Sequence, residues 1–213
     1  MATPEHLAPT FADFARLLTE RIQAGVRTTE DTVRYTFYNA LRESGRFGHT
    51  EIVLEYPHPT IGGAEIDTLI QPKQGSSAAI EFKYDRGNKG GTNQNRTQRA
   101  GLALADMFRL AKVPNEIAAN RFFLYVTDSE MAGYFKNPTN RLHQFFESGS
   151  RLALSAGLFA GFAQTLLARI EPLACDCEVH CAFAADLPGG HCVRVWHVLP
   201  SNSSSQPTAF GGG

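Results

Sequence analysis

Residues 62–86 read GGAEIDTLIQPKQGSSAAIEFKYDR. Two apolar-rich runs flank the turn residues Gln74-Gly75-Ser76, and their pairing decides the fold. Each run has strand length and β-branched or aromatic content, so 64–71 and 78–84 are expected to form a hairpin. Side chains two apart on a strand share a face. Glu81 and Lys83 then project together, Phe82 turns the other way, and Asp67 comes alongside from the neighbouring strand. Two carboxylates so close repel one another, and a divalent cation removes the conflict. Mg²⁺ (or Mn²⁺) takes oxygen ligands and often uses only one or two protein carboxylates. Asp67 and Glu81 are the expected metal ligands, with the Phe82 carbonyl as a third oxygen. Such an ion acidifies a bound water and stabilises charge on a phosphate. Lys83 is suited to orient that water, to help deprotonate it, or to neutralise the developing oxyanion.

Outward from this hairpin the pattern stays mixed. A helix is expected over 10–24, with Thr10 and Asp13 spaced as a capping box and Gly25 as its stop. A second is expected over 29–44, with Thr28 and Asp31 in capping positions and Val33, Phe37 and Leu41 on its buried face. Glu30 lies three residues before Val33 and shares that face. A strand at 51–56 precedes the hairpin, separated from it by Pro57, Pro59, Gly62 and Gly63. Beyond it come a polar loop, a long helix over 94–112 stopped by Pro114, and a strand over 121–127 (RFFLYVT). Short helices are expected over 130–135 and 139–147, and a buried one over 155–170. A closing hairpin, 171–184 with 191–199, turns at Pro188-Gly189-Gly190. The expected fold class is α/β (α+β), a central mixed β-sheet flanked by helices with C-terminal helices and a hairpin. One domain is expected over 1–200 and a disordered tail over 201–213, whose SNSSSQPTAFGGG lacks the apolar content to fold.

Bulk composition narrows function by exclusion. The 213 residues are 43% hydrophobic and 19% charged, with a net charge of −1, so any nucleic-acid-binding surface must be local. No apolar run reaches the roughly 18–20 residues of a membrane span. The opening MATPEHLAPTFADF lacks the basic start and apolar run of a signal peptide, and a cytoplasmic location is expected. All four cysteines fall between Cys175 and Cys192. Cys175, Cys177, Val179 and Cys181 alternate with Asp176, Glu178 and His180, the period of a half-buried strand rather than the spacing of a zinc knuckle. One local basic stretch stands out. From Arg86 to Ala105 there is no acid, while Arg86, Lys89, Arg96 and Arg99 are basic and glycines at 87, 90 and 91 permit close backbone approach. Such a loop beside a metal site is suited to grip phosphates.

Glu65-Ile66-Asp67 followed by Ile80-Glu81-Phe82-Lys83 on the next strand, in a helix–three-strand–helix–strand order, resembles the PD-(D/E)XK nuclease superfamily over about residues 28–127. The proline of the motif's name is replaced by Ile66. The resemblance implies a restriction-endonuclease-like core and a Mg²⁺-dependent phosphodiesterase acting on DNA, as in restriction, phage defence or repair. It implies Asp67, Glu81 and Lys83 as catalytic residues. It also implies an added acid on the preceding helix, which Glu30 fits, and a glutamine on the following helix, which Gln94 or Gln98 fits. Arg86, Lys89, Arg96 and Arg99 would contact the DNA backbone. Double-strand cutting would call for a homodimer. The alternative is a catalytically silent nucleic-acid-binding or assembly module on the same scaffold.

Overall fold

The computed structural model describes residues 7–87 and 93–201, with the backbone alone for Asn93 and Gln94. Lys89, the Gln94 side chain and the tail beyond Ser201 therefore lie outside the described residues. Helices α1 (Ala8–Gln23) and α2 (Glu30–Glu43) lead into an antiparallel meander of β1 (Ile52–Pro57), β2 (Glu65–Ile70) and β3 (Ala78–Asp85). Helix α3 (Asn93–Ala111) carries the chain back so that β4 (Asn120–Thr127) lies parallel to β3. A parallel pair requires a crossover of this kind. After α4 (Ser129–Lys136) come β5 (Arg151–Leu154), α5 (Gln164–Ile170), β6 (Cys177–Asp186) and β7 (Cys192–Pro200). The seven strands form one mixed sheet in the order β1-β2-β3-β4-β7-β6-β5. The expected α/β class, a mixed sheet flanked by helices, is the one observed.

Alternation along the central strands divides the core in two. Ala78, Ile80 and Phe82 of β3, with Phe122, Leu124 and Val126 of β4, pack against Phe11, Phe14, Val33 and Phe37 of α1 and α2. Ala79 of β3 and Phe123 and Tyr125 of β4 pack on the other side with Ala103, Met107 and Leu110 of α3 and with parts of α4 and α5. Helix α3 meets α5 closely at Gly101, where a Cβ would come within 2.9 Å of the Leu166 carbonyl oxygen. The C-terminal hairpin is no surface appendage. Strand β7 pairs with β4, and it is buried from Cys192 through Val198.

Several local expectations are corrected. Thr10 is not a cap: helix α1 starts at Ala8, and Thr10 is buried on its core face. Helix α2 is capped by Thr29 rather than Thr28, its side chain accepting from the Thr32 N–H at 3.1 Å. The segment expected as a helix over 139–147 forms two short 3-10 turns, Pro138–Asn140 and His143–Phe146. The helix expected over 155–170 is interrupted: Ala156–Phe159 is a 3-10 turn, Gly161 takes a left-handed φ of 79°, and α5 spans only Gln164–Ile170. A left-handed residue cannot continue an α-helix. Just before it, Leu154 is buried as part of β5, an edge strand the sequence pattern does not announce. Strand β6 begins at Cys177, not near 171, and Cys177, Val179 and Cys181 point into the core. All four cysteines are free thiols.

A buried histidine contributes to the pH dependence of stability. His197 of β7 is 8% exposed and stacks on Phe122 with ring centroids 4.9 Å apart. Burial, with added repulsion from His180 and Arg121, pushes its pKa down to about 4. An unfolded histidine titrates near 6.5, so between the two values the unfolded chain takes a proton that the folded chain refuses. The contribution of His197 is complete above pH 6.5 and falls by about 3 kcal/mol as pH drops toward 4. Urea denaturation at pH 7 and pH 4 should show His197→Gln gaining stability relative to the parent by about 3 kcal/mol on going from pH 7 to pH 4.

Candidate functional site

The site grows from an unfinished strand ladder. Strands β2 and β3 pair at Ile70–Ala78, Leu69–Ala79 and Thr68–Ile80, and there the pairing ends. Both strands continue, β2 back to Glu65 and β3 on to Asp85. Alternate backbone N–H groups of β3 past Ile80 thus lose their partner strand, and buried N–H groups demand acceptors. Side chains supply them. The Phe82 N–H donates to Asp67 Oδ2 at 2.8 Å. The Tyr84 N–H donates to Glu30 Oε2 at 3.2 Å. Residues 82 and 84 lie two apart, so both N–H groups leave β3 on the same side, toward the widened gap. Because the N–H and C=O of one strand residue point the same way, the Phe82 carbonyl also faces that gap.

Charged side chains enter the gap from both neighbouring helices. From α2, Glu30 Oε2 lies 3.3 Å from Lys83 Nζ, and Arg34 donates to Asp67 Oδ1 at 2.7 Å. From α3, Arg109 grips Glu81 with two bonds, Nε to Oε1 at 3.1 Å and a terminal nitrogen to Oε2 at 2.7 Å. Asp106 lies 3.1 Å from the same Arg109 nitrogen. Asp85, next on the Glu81–Lys83 face, accepts from the Tyr125 hydroxyl at 2.8 Å.

The electrostatics confirm how tightly these groups are coupled. Glu81 is 1% exposed, and burial drives its pKa well above the ordinary carboxylate range. Arg109 opposes the shift, while Asp67 and Asp106 add to it. Asp106 is pushed up to about 6, chiefly by burial, with Arg109 and Lys83 opposing and Asp67 and Glu30 reinforcing. Burial pulls the Lys83 ammonium down, but Glu30, Asp106 and Asp85 outweigh it and its pKa lies above the usual lysine value. Asp67, Glu81, Lys83 and Glu30, the four residues singled out as catalytic from the sequence, therefore belong to one charge network.

The expected phosphate-contacting residues divide. Arg86 and Arg99 line an open groove of about 420 Å³ together with Glu30, Lys83, Tyr84 and Asp85. Arg99 donates to the Arg86 carbonyl, which ties the two together. Arg96 instead binds Glu130, its Nε 2.8 Å from Oε1. That pair sits over Gly87, whose N–H donates to Asp128 and whose missing Cβ leaves room for the Glu130 side chain. Gln98 is half-buried on α3. A cavity of about 610 Å³ lies at the other end of these strands, lined in part by Leu7, Phe47, Ile70 and Phe122. It shares none of the converging charges.

Among the described residues, no group of three or more His, Cys, Asp or Glu side chains is gathered to hold a metal ion. The candidate donors are two carboxylates, Asp67 and Glu81, and the Phe82 carbonyl. Their chemistry fits a hard cation that keeps most of its waters. Sequence reading missed Arg34, Asp106 and Arg109. Arg34 stands one helical turn beyond Glu30, and Asp106 stands three after buried Ala103 and four before buried Leu110. Charged residues at core-facing positions were the available signal. Comparison with family models, curated proteins and solved structures finds no match to this chain. Among the described residues no helix is long and apolar enough to cross a membrane.

Removing Arg109 tests the network. Arg109→Ala leaves Glu81 buried without its cation, at a cost of about 3 kcal/mol near pH 8. Glu81 in the variant folds with a proton, so its folded pKa stands further above the unfolded value. The destabilisation should then be small at pH 5 and grow as pH rises, as read by chemical denaturation across that range.

Proposed function

We propose that this chain is a divalent-metal-dependent nuclease of the PD-(D/E)XK type that hydrolyses DNA phosphodiester bonds. The observation that carries the reading is the β2–β3 gap past Thr68 and Ile80, where the two strands no longer pair with each other and where Asp67, Glu81 and Lys83 join one charge network. Asp67, Glu81 and the Phe82 carbonyl would hold Mg²⁺ or Mn²⁺. When bound, that ion would lower the pKa of a water and offset charge on the phosphate. Lys83, held beside the gap by Glu30, orients the attacking water or neutralises the developing charge. Glu30 acts through Lys83 and through the Tyr84 N–H rather than on the substrate. Arg86 and Arg99 line the adjoining groove, where they would hold the backbone of the nucleic acid. Double-strand cleavage by a chain with one such site needs two protomers, and a symmetric dimer is the simplest arrangement.

A second reading rests on a specific observation. Asp67, Glu81 and Lys83 each already have an oppositely charged partner, which also suits a silent binding module. Incubation with plasmid and single-stranded DNA, in Mg²⁺ or Mn²⁺ and then in chelator, separates the two. The nuclease reading predicts metal-dependent cutting that drops about a hundredfold or more in Lys83→Ala, a loss typical of removing a transition-state charge partner. The variant should retain its fold by circular dichroism. Retention of DNA without metal-dependent cutting would favour the silent module.

A further inference from the structure

Each central carboxylate shares its arginine with a second acid. Arg34 bridges Asp67 at 2.7 Å and Glu55 at 3.7 Å. Arg109 bridges Glu81 at 2.7 Å and Asp106 at 3.1 Å. Arg34 spans from Asp67 at the β2–β3 gap to exposed Glu55 with two different nitrogens, whereas Arg109 meets buried Glu81 and buried Asp106 through one terminal nitrogen. Glu55 is unusual in its backbone as well. It stands on β1 between the pairs Leu54–Thr68 and Tyr56–Ile66, the register position opposite Asp67, and adopts a left-handed φ of 54°. A non-glycine residue in that region bears strain, and such strain concentrates at sites with a role to play. The Glu55 side chain is 64% exposed, so packing does not account for its position. The Arg34 Nε is buried without a hydrogen-bond partner among the described residues, so the guanidinium has bonding capacity to spare where it lies.

We propose that Arg34 and Arg109 are displaceable counter-ions, and that Glu55 and Asp106 are the acids that retain them when a divalent cation takes Asp67 and Glu81. The inference rests on the metal-site reading above and adds four positioning residues to it. A guanidinium is a large, directional cation and Mg²⁺ a small one. Both favour the same carboxylate oxygens, and all four oxygens of Asp67 and Glu81 already accept a hydrogen bond. Entry of the smaller ion weakens the half of each bridge made to Asp67 or Glu81. The second acid then determines whether the arginine remains charge-paired nearby or is left without a partner. The exchange brings two positive charges close to each arginine, and the second acid is then what offsets their repulsion of the guanidinium.

The experiment uses the full chain and MgCl₂, read through the arginine Nε–H resonances of ¹⁵N-labelled protein and through binding calorimetry. At saturating Mg²⁺ the Arg34 and Arg109 signals should shift together. Arg121, whose Nε donates to the Val113 carbonyl in a separate buried setting, should not move. Glu55→Gln should weaken Mg²⁺ binding about two- to fivefold, the range of a partly exposed ion pair. Arg34→Gln should tighten it. In the Arg34→Gln background, Glu55→Gln should have little further effect, because the two act as one unit. Additive effects in this cycle would indicate a general field and overturn the exchange, as would stationary Arg34 and Arg109 signals at saturation. Absence of Mg²⁺ binding by the parent chain would instead reject the metal site itself, and the exchange with it.

Discussion

A strand ladder that stops early governs this structure. Past Thr68 and Ile80, β3 runs on without β2 beside it, yet its backbone N–H groups still need acceptors. Asp67 and Glu30 take the place of the missing strand, one at Phe82 and the other at Tyr84. Two carboxylates are thereby fixed at the edge of an opening by backbone geometry rather than by loop conformation. Glu81 and Lys83 reach the same opening because they share one face of β3. The core supports this from below: Phe82, pointing the other way, packs edge-on against Phe37 of α2, with ring centroids 5.3 Å apart. Helix α2 is thus anchored at Phe82, two residues from the Tyr84 N–H that Glu30 meets.

Charge balance is the second constraint. Isolated ionised carboxylates are costly to bury, and Glu81 is nearly inaccessible. The chain meets this cost by alternating sign across the opening, with Glu30 against Lys83, Asp67 against Arg34, and Glu81 and Asp106 against Arg109. Such a network is stable while complete and sensitive to the loss of any one member. It also concentrates carboxylate oxygens where a hard cation could exchange for an organic one. The adjoining groove, with Arg86 and Arg99, places positive charge a short step from that point.

How much of this was legible in the sequence varies with how local each cause is. The hairpin of β2 and β3, the opposite facing of Phe82 and Glu81, and the placement of Glu30 all follow from periodicities of two and 3.6 residues. The two core layers follow from the same alternation in β3 and β4. Arg34 and Arg109 were not legible as partners of the site, because the carboxylates they bind lie 28 or more residues away, and Asp106 showed only as an acid at a core-facing helical position. The left-handed backbone at Glu55 is likewise invisible, since glutamate carries no preference for it. Among the elements, the stretch 151–170 follows two periods in succession rather than one. Leu152 and Leu154 alternate as a strand, and Leu166 and Ile170 repeat as a helix, with Gly157 and Gly161 marking the break between them.

The central claim is that Asp67, Glu81 and the Phe82 carbonyl together offer a seat for one divalent cation beside Lys83. Anomalous scattering from a crystal of the chain grown or soaked with Mn²⁺ addresses it directly. The account predicts a single strong peak in the β2–β3 gap, within bonding distance of both carboxylates. A peak confined to another surface, or none in that gap at saturating Mn²⁺, would contradict it.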